Sequence, residues 1–538
     1  MAWSAPASYS SAQVLAAADL NLVSANLSSL RNANDQLVKL YLDSSPSIAN
    51  NTNTKLSWTT VAGSQIGAIW SGTNPTRLVA PVAGWYLVLI NVEWRSNSVN
   101  LRNISLLRNS AALQLDLQSQ GAVGGKSNLS AMALVQMTAA AYLEVQVFQS
   151  SGAGLTVHGG TEDRTRVAMC LLGTANAGAW PGSGPRTWSL ADGNPTHTQI
   201  NAEVRDPLLT LRNLNDCAAK VHRTSASQSI SNNTRTAVSW QASSSTAGAT
   251  PPWVVGSPTR FTAPVAGRYR IICNAKWANN NSGRRGVGWR LNGGGTNYDV
   301  QFQESNGVDT CTGLELIDLA ANDYVEMIVF QDSGGSLNLV GGTEGDTSCS
   351  FSLVGTGATE PPLWTPPRSW VDGIPSGILS PAILNTEWRD HLITARNMKG
   401  AAAGAYLAEA LSIQSGERAP IAWTTPGWNV GGTLSGSDLV APVAGWYLVS
   451  ANTEWSSNSN VDGVRGLGYR INDSSTNHDL QYQEGNAKQL NLSGADLIEL
   501  QAGDIVRIYG YQDSGESPDL HGGNPDQTRA SLSLIAAS

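Results

Sequence analysis

The sequence predicts a mainly β protein: an antiparallel sandwich or barrel built three times in tandem. Three observations carry this. The stretch APVAGWYLVLINVEW (80–94) returns as APVAGRYRIICNAKW (263–277) and as APVAGWYLVSANTEW (441–455). The copies lie whole-domain distances apart, far beyond a solenoid period. Residues alternate within each copy. Tyr86, Val88, Ile90, Val92 and Trp94 share one face. Their counterparts are Tyr269, Ile271, Cys273, Ala275 and Trp277, then Tyr447, Val449, Ala451, Thr453 and Trp455. The opposite face varies: Trp85, Leu87, Leu89, Asn91 and Glu93 become Arg268, Arg270, Ile272, Asn274 and Lys276. A constant face against a variable one predicts a half-buried strand. Finally, 41% of the 538 residues are hydrophobic and only 14% charged, with 54 glycines, which suits strands and turns with a neutral polar surface.

The elements follow in order. Residues 1–44 are expected to be helical, because Leu20, Val23, Leu27, Leu30, Leu37 and Tyr41 fall on three- and four-residue steps with Asn34 at the missing position. Such a seam could associate helices, with Asn34 setting the register. A short helix lying against its own domain is the alternative. Residues 45–175, 223–357 and 411–538 are the three sandwiches. Each contains APVAG, a corner whose proline lacks a ladder donor and whose glycine suits a turn. Each then contains FQSSG (148–152), FQDSG (330–334) or YQDSG (511–515), and ends on a short apolar strand. Residues 176–222 and 358–410 are linkers with helices, Pro/Gly-rich at AGAWPGSGPR and EPPLWTPPR. Acidic turns at Asp323 and Asp504 precede a second regular strand, and the first copy lacks the acid.

FTAPVAGRY (261–269), followed by LIDLAANDYVEMIVFQDSG, resembles the C1q/TNF-like jelly roll, and LVAPVAGWY with LIELQAGDIVRIYGY matches as well. The resemblance implies sandwiches of about ten antiparallel strands that assemble as trimers around buried aromatic faces. Some members of that family bind calcium. No matching ligand set recurs here, so no metal and no cofactor is expected. Two arrangements could use three copies: stacked trimeric tiers of three chains, which the helix-bearing spacers favour, or closure of one chain's three domains into a pseudo-trimer. The connecting segments share N-x-E-x-R-D after a tryptophan and a DG turn, at TWSLADG (187–193) and SWVDG (369–373). This plan resembles modules of tailed-bacteriophage tail fibres, tail-tip components and head fibres. It implies a homotrimeric virion protein, assembled in the host cytoplasm beside other virion structural proteins.

Composition narrows the function classes. A net charge of −8 and a pI of about 5.3 argue against a nucleic-acid surface. No stretch approaches the length of a membrane span, and the N-terminus lacks the pattern of a signal peptide. Five cysteines without a CxxC indicate neither a disulfide framework nor a zinc ribbon. The six histidines (His158, His197, His222, His391, His478 and His521) fit no hydrolase or metal motif. His158 and His521 share a position that Val340 fills in the middle copy, so shape is expected to matter there. Glu93 and Glu454 share one that Lys276 fills, which argues against a carboxylate pair for glycan cleavage. The expectation is a non-enzymatic tail protein, with a capsid-attached head fibre or decoration protein, or a glycan-binding adhesin or depolymerase, as alternatives. Candidate contacts to a host glycan or receptor are Asn97, Asn279, Asn280, Asn458, Asp332 and Asp513, in loops whose simpler reading is solvated hairpins.

Overall fold

A computed structural model describes residues 36–174, 218–355 and 402–537, apart from residues 64, 98–99, 112, 122–126, 163, 225–226, 248–251, 265, 306–308, 343–345, 424, 431, 457–462, 485–489 and 525–526. Among these, regular structure is β-strand, with one 3-10 turn at Asn109–Ala111. The seam positions Leu20, Val23, Leu27, Leu30 and Asn34 and the linker helices lie outside the described residues.

Leu37 is corrected. It opens a strand, Leu37–Tyr41, paired antiparallel with Arg166–Thr174, and its side chain is fully buried. Positions four apart share a face in a helix and in a strand alike, so Leu37 and Tyr41 fitted both patterns. Equivalent strands, Ala218–His222 and Ala402–Tyr406, pair with Ser348–Gly355 and Arg529–Ala537. Each sandwich therefore starts one strand before the expected boundaries at 45, 223 and 411.

Each sandwich has two sheets. The long strand from the APVAG corner (Gly84–Trp94, Gly267–Lys276 or Gly445–Trp455) is central in the first, between the closing strand and Ser127–Met137, Thr310–Leu319 or Leu490–Leu500. The second sheet is built on hairpins such as Arg284–Leu291 with Asn297–Glu304. Three separate hydrophobic clusters fill the sandwiches, one per domain.

The recurring words now have physical reasons. Ala80, Ala263 and Ala441 of APVAG donate their N–H to the carbonyls of Ala141, Asp323 and Asp504, fixing each corner to the turn before the second strand. Those turns need a left-handed residue, supplied by Ala140 (φ 64°), Asn322 (φ 71°) and Gly503 (φ 90°). The Tyr86 and Tyr447 hydroxyls donate back to the carbonyls of Val82 and Val443 at 2.9 and 2.8 Å. Asp323 and Asp504 accept the N–H of Ala320 and Gln501, closing their turns.

The glutamine of the Q-x-S-G words is a clamp. Gln149, Gln331 and Gln512 are fully buried. Each amide nitrogen donates to two carbonyls: Ile48 and Ala153, Ile230 and Gly335, Ile413 and Glu516. Each amide oxygen accepts the N–H of Ser151, Ser333 or Ser514. Gln331→Ala removes four hydrogen bonds, two to the Ile230 and Gly335 carbonyls and two from the Ser333 N–H and hydroxyl, and leaves the buried Ile230 carbonyl without this partner. It is expected to cost about 2 kcal/mol, read as a lower midpoint in urea unfolding with an unchanged slope. A cost within the error of the measurement contradicts the clamp.

The variable face of the long strand is the largest departure from expectation. It does not face solvent. In the first and third copies every residue of the strand is buried. Trp85, Leu87 and Leu89 meet Ile272 and Leu314 of the second domain and Trp446, Leu448, Ala495 and Leu497 of the third in a fourth, interdomain cluster. The domains are also joined by backbone pairing. Ser119 pairs with Thr310, Phe302 with Asn491, and Tyr482 with Asn128, which links first to second, second to third and third to first. The second sheet of each domain thus continues into the first sheet of a neighbour, giving composite sheets of 10, 12 and 11 strands. The three domains of one chain form a closed ring. Threefold association is met within the chain, and the stacked-tier arrangement of the domains is corrected: the faces that would have met two other chains are covered by this chain's own domains.

Candidate functional site: the seams of the ring

The seams hold buried charge. At the seam of the third and first domains, Asp496 on Leu490–Leu500 is 1% exposed. Its Oδ2 accepts from Arg166 Nε at 2.6 Å, Lys39 Nζ at 3.1 Å and the Tyr469 hydroxyl at 2.7 Å, and its Oδ1 accepts from the Leu497 N–H at 2.8 Å. Burial alone would raise this carboxyl; Arg166 and Lys39 outweigh it and hold it at about 2. Burial pushes the Lys39 ammonium down despite Asp496. The Arg166 guanidinium is pulled up by Asp496 in spite of its burial. The Arg166 contact to Asp496, at 2.6 Å, is shorter than the Lys39 contact, at 3.1 Å.

The seam of the second and third domains repeats the plan with changes. Glu315 stands opposite Ile271 as Asp496 stands opposite Val449. It accepts from Arg529 Nε, the counterpart of Arg166, and from Asn452 Nδ2 at 3.0 Å. The counterpart of Lys39 is Gly404: each is the third residue of its domain's first strand, opposite Ala168 and Ser531. Trp289 takes the place of Tyr469. A cleft of about 190 Å³ opens there, lined by Glu315, Asp318, Arg529, Trp289, Tyr298 and Gly404 among others. Here burial wins, and the Glu315 carboxyl is raised even though Arg529 pulls it down.

At the first–second seam the equivalent positions are Ala133, opposite Val88, and Ser348, opposite Asn274. Both the acid and the arginine are replaced together.

Four of the loop residues singled out in the sequence, Asn97, Asn280, Asp332 and Asp513, make contacts within their own domains. Asn97 Oδ1 accepts from Arg102 Nη2 at 3.0 Å, and the Asn280 carbonyl accepts from Arg285 Nη2 at 3.1 Å. Arg102, Arg285 and Arg465 are buried, and their guanidinium carbons lie 5.8, 5.9 and 5.7 Å from the ring centroids of Trp94, Trp277 and Trp455. Burial lowers the Arg102 guanidinium to about 10. These arginines were legible as one residue kept after each loop in all three copies. Asp332 and Asp513 accept the backbone N–H of Arg284 and Val464, which start the antiparallel neighbour of the strand each aspartate follows. In the first copy the Ser150 hydroxyl accepts from the Leu101 N–H at 3.1 Å, so serine does the work of the lost acid. Asn279 is exposed, and Asn458 lies outside the described residues. Among the described residues, Asn97 belongs to the first domain, Asn279, Asn280 and Asp332 to the second and Asp513 to the third.

Reading His158 and Glu93 separately missed a pair. His158 Nδ1 is 2.9 Å from Glu93 Oε1, and His521 Nδ1 is 2.8 Å from Glu454 Oε1. Where Lys276 replaces the glutamate it bonds Asp346 at 2.9 Å, and Val340 replaces the histidine. Position 340 therefore follows the charge of its partner as well as its shape. Cys273 and Cys349 are free thiols with sulfurs 3.8 Å apart inside the second sandwich. Among the described residues, no group of three His, Cys, Asp or Glu side chains could hold a metal ion, and no helix is long and apolar enough to cross a membrane.

Strand order and buried seams define the class: the described residues form three antiparallel jelly-roll domains closed into a ring. No family model matches the chain, and no curated protein matches it. Among solved structures it is similar to Eiger TNF from S. frugiperda, at 17% identity over 26% of this chain and 95% of that one, with a TM-score of 0.21. It is also similar to murine APRIL, at 12% identity over 26% of this chain and 98% of that one, with a TM-score of 0.21. Each likeness spans about one domain's share of the chain; the jelly-roll description rests on the chain's own strand order.

Proposed function

We propose that this protein is a non-enzymatic structural component of a bacteriophage particle, tail-associated and able to contact the host surface. The observation that carries the reading is the use made of the recurring polar residues. Glutamine clamps, buried arginines and His–Glu pairs hold each sandwich together, and the seam ion pairs join the sandwiches into a ring. A rigid three-domain ring joined to shared W…DG…N-x-E-x-R-D segments suits a part built into a particle, made in the bacterial cytoplasm and docked on other virion proteins. A depolymerase would need two carboxylates facing a common substrate, whereas Glu93 and Glu454 are each engaged by a histidine within separate domains.

The test is mass spectrometry of gradient-purified particles from the producing strain, with immunogold labelling by an antibody raised against the ring. Label at the tail is expected. Label on the capsid would move the protein to the head-fibre reading, and absence from the particle would overturn the proposal. For the host-contacting role, purified protein at micromolar concentration is expected to bind host cells and reduce infection; failure to bind removes that role.

A further inference from the structure

The chain carries its own comparison for the cleft between the second and third domains. At the third–first seam, a buried carboxylate, Asp496, has two cations and a tyrosine hydroxyl around it. At the second–third seam, Glu315 keeps the arginine. The lysine is replaced by Gly404 and the tyrosine by Trp289. Removing a lysine side chain beside a buried carboxylate leaves a space of defined chemistry. It measures about 190 Å³, and an acid, Glu315, lines it. One wall is aromatic: Trp289 and Tyr298 stack at 3.8 Å with their planes 4° apart. A second carboxylate, Asp318, also lines the cleft, with its own arginine, Arg268, at 2.6 Å. The Trp289 indole N–H, on a side chain 3% exposed, has no hydrogen-bond partner among the described residues.

We propose that this cleft is a binding site for a small primary amine, whose ammonium group sits beside Glu315 as the Lys39 ammonium sits beside Asp496. The alkyl part lies where the lysine stem would run, against the aromatic wall. A ligand that also bears a hydroxyl or carbonyl oxygen gives the Trp289 N–H an acceptor, so amino alcohols and amino sugars belong to the fitting class. The raised carboxyl of Glu315, against the depressed one of Asp496, agrees with a site that lacks its second cation.

Lysine supplies both the probe and the decisive variant. The probe is n-butylammonium, a lysine side chain without its backbone, titrated into the full chain by calorimetry and by thermal shift, with glucosamine as the hydroxylated probe. Binding on the order of 1 mM is expected for n-butylammonium, tighter for glucosamine, with a rise in melting temperature that saturates. n-Butanol, of the same shape but uncharged, should give no saturable shift. Gly404→Lys puts the amine on the chain itself: it should raise the melting temperature and abolish binding of the probe. Glu315→Gln should weaken binding at least about tenfold, the equivalent of one lost charged contact. The proposal is overturned if neither amine binds, if n-butanol binds as well as the amine, or if Gly404→Lys folds and leaves the affinity unchanged. Should Glu315→Gln fail to fold, the lysine variant and the alcohol control still decide.

Discussion

Replacing Asp496 by alanine is expected to destabilise the protein by about 3–5 kcal/mol, because it leaves the buried Arg166 and Lys39 without their counter-charge. Both cations are almost wholly shielded from water, with side chains 1% and 4% exposed. The expected signature in denaturant unfolding is a large fall in midpoint. The triple variant Asp496→Ala, Arg166→Met, Lys39→Met should recover most of the loss, since apolar side chains of similar length fill the same space without charge. The pH dependence has a definite sign. The folded-state carboxyl lies at about 2 against an ordinary 3.8. Its stabilisation, roughly 2 kcal/mol for such a depression, is complete above about pH 4 and is lost as the pH falls toward 2. Asp496→Asn should flatten that acid limb. A single-alanine cost below about 1 kcal/mol would mean that the contact behaves like a surface pair and does not join the domains.

The same charges set the order of the domains around the ring. Arg166 of the first domain meets Asp496 of the third, and Arg529 of the third meets Glu315 of the second. The second domain has Ser348 where the others have arginine, and the first has Ala133 where the others have an acid. With the opposite order, Arg166 would still find Glu315. Arg529 would then face Ala133, and Asp496 would face Ser348, so two buried charges would be stranded. A ring of three identical domains could not encode a direction in this way. The differences on the variable strand face, which look like relaxed constraint in the sequence, are what distinguish one seam from another.

That face marks the limit of what the sequence disclosed. The threefold repeat, the constant Tyr-to-Trp face and the turns at Asp323 and Asp504 were legible because local periodicity and turn chemistry follow from the chain alone. Trp85, Leu87 and Leu89 were apolar in plain view. Their counterparts Arg268 and Arg270 suggested solvent because alternation along one strand carries no information about what lies opposite. The first strands of the sandwiches were hidden for the opposite reason: AAKVH and AAGAY are short, small and buried on both faces, so they neither alternate nor stand out. The Q-x-S-G words were visible as repeats. Their clamp role needed the carbonyls of Ile48, Ile230 and Ile413, roughly a hundred residues upstream. The His–Glu pairs were recoverable from the repeat itself, had positions 93 and 158 been compared as a pair across copies.

Leu448→Asp should open the ring while leaving the sandwiches formed. Leu448 is 1% exposed and sits in the interdomain cluster, outside the three domain cores. Truncation to alanine there would cost about 2–5 kcal/mol through lost burial and the space left behind. An aspartate adds the cost of an unpaired charge in apolar surroundings, several kcal/mol more, unless the seam parts and lets water in. Parting is the cheaper route. Each sandwich keeps its own cluster, and the three seams share one core, so relief at one strand reaches all of them. The expected result in small-angle scattering is a larger radius of gyration than that of the native chain. Far-ultraviolet circular dichroism should keep its β signature, and a single unfolding transition should give way to separated ones. Loss of the β signature together with compactness would mean that the sandwiches cannot stand without the ring. An unchanged radius with one native-like transition would mean that the central cluster does not couple the domains, and would remove the physical basis for reading the chain as a closed trimer of its own repeats.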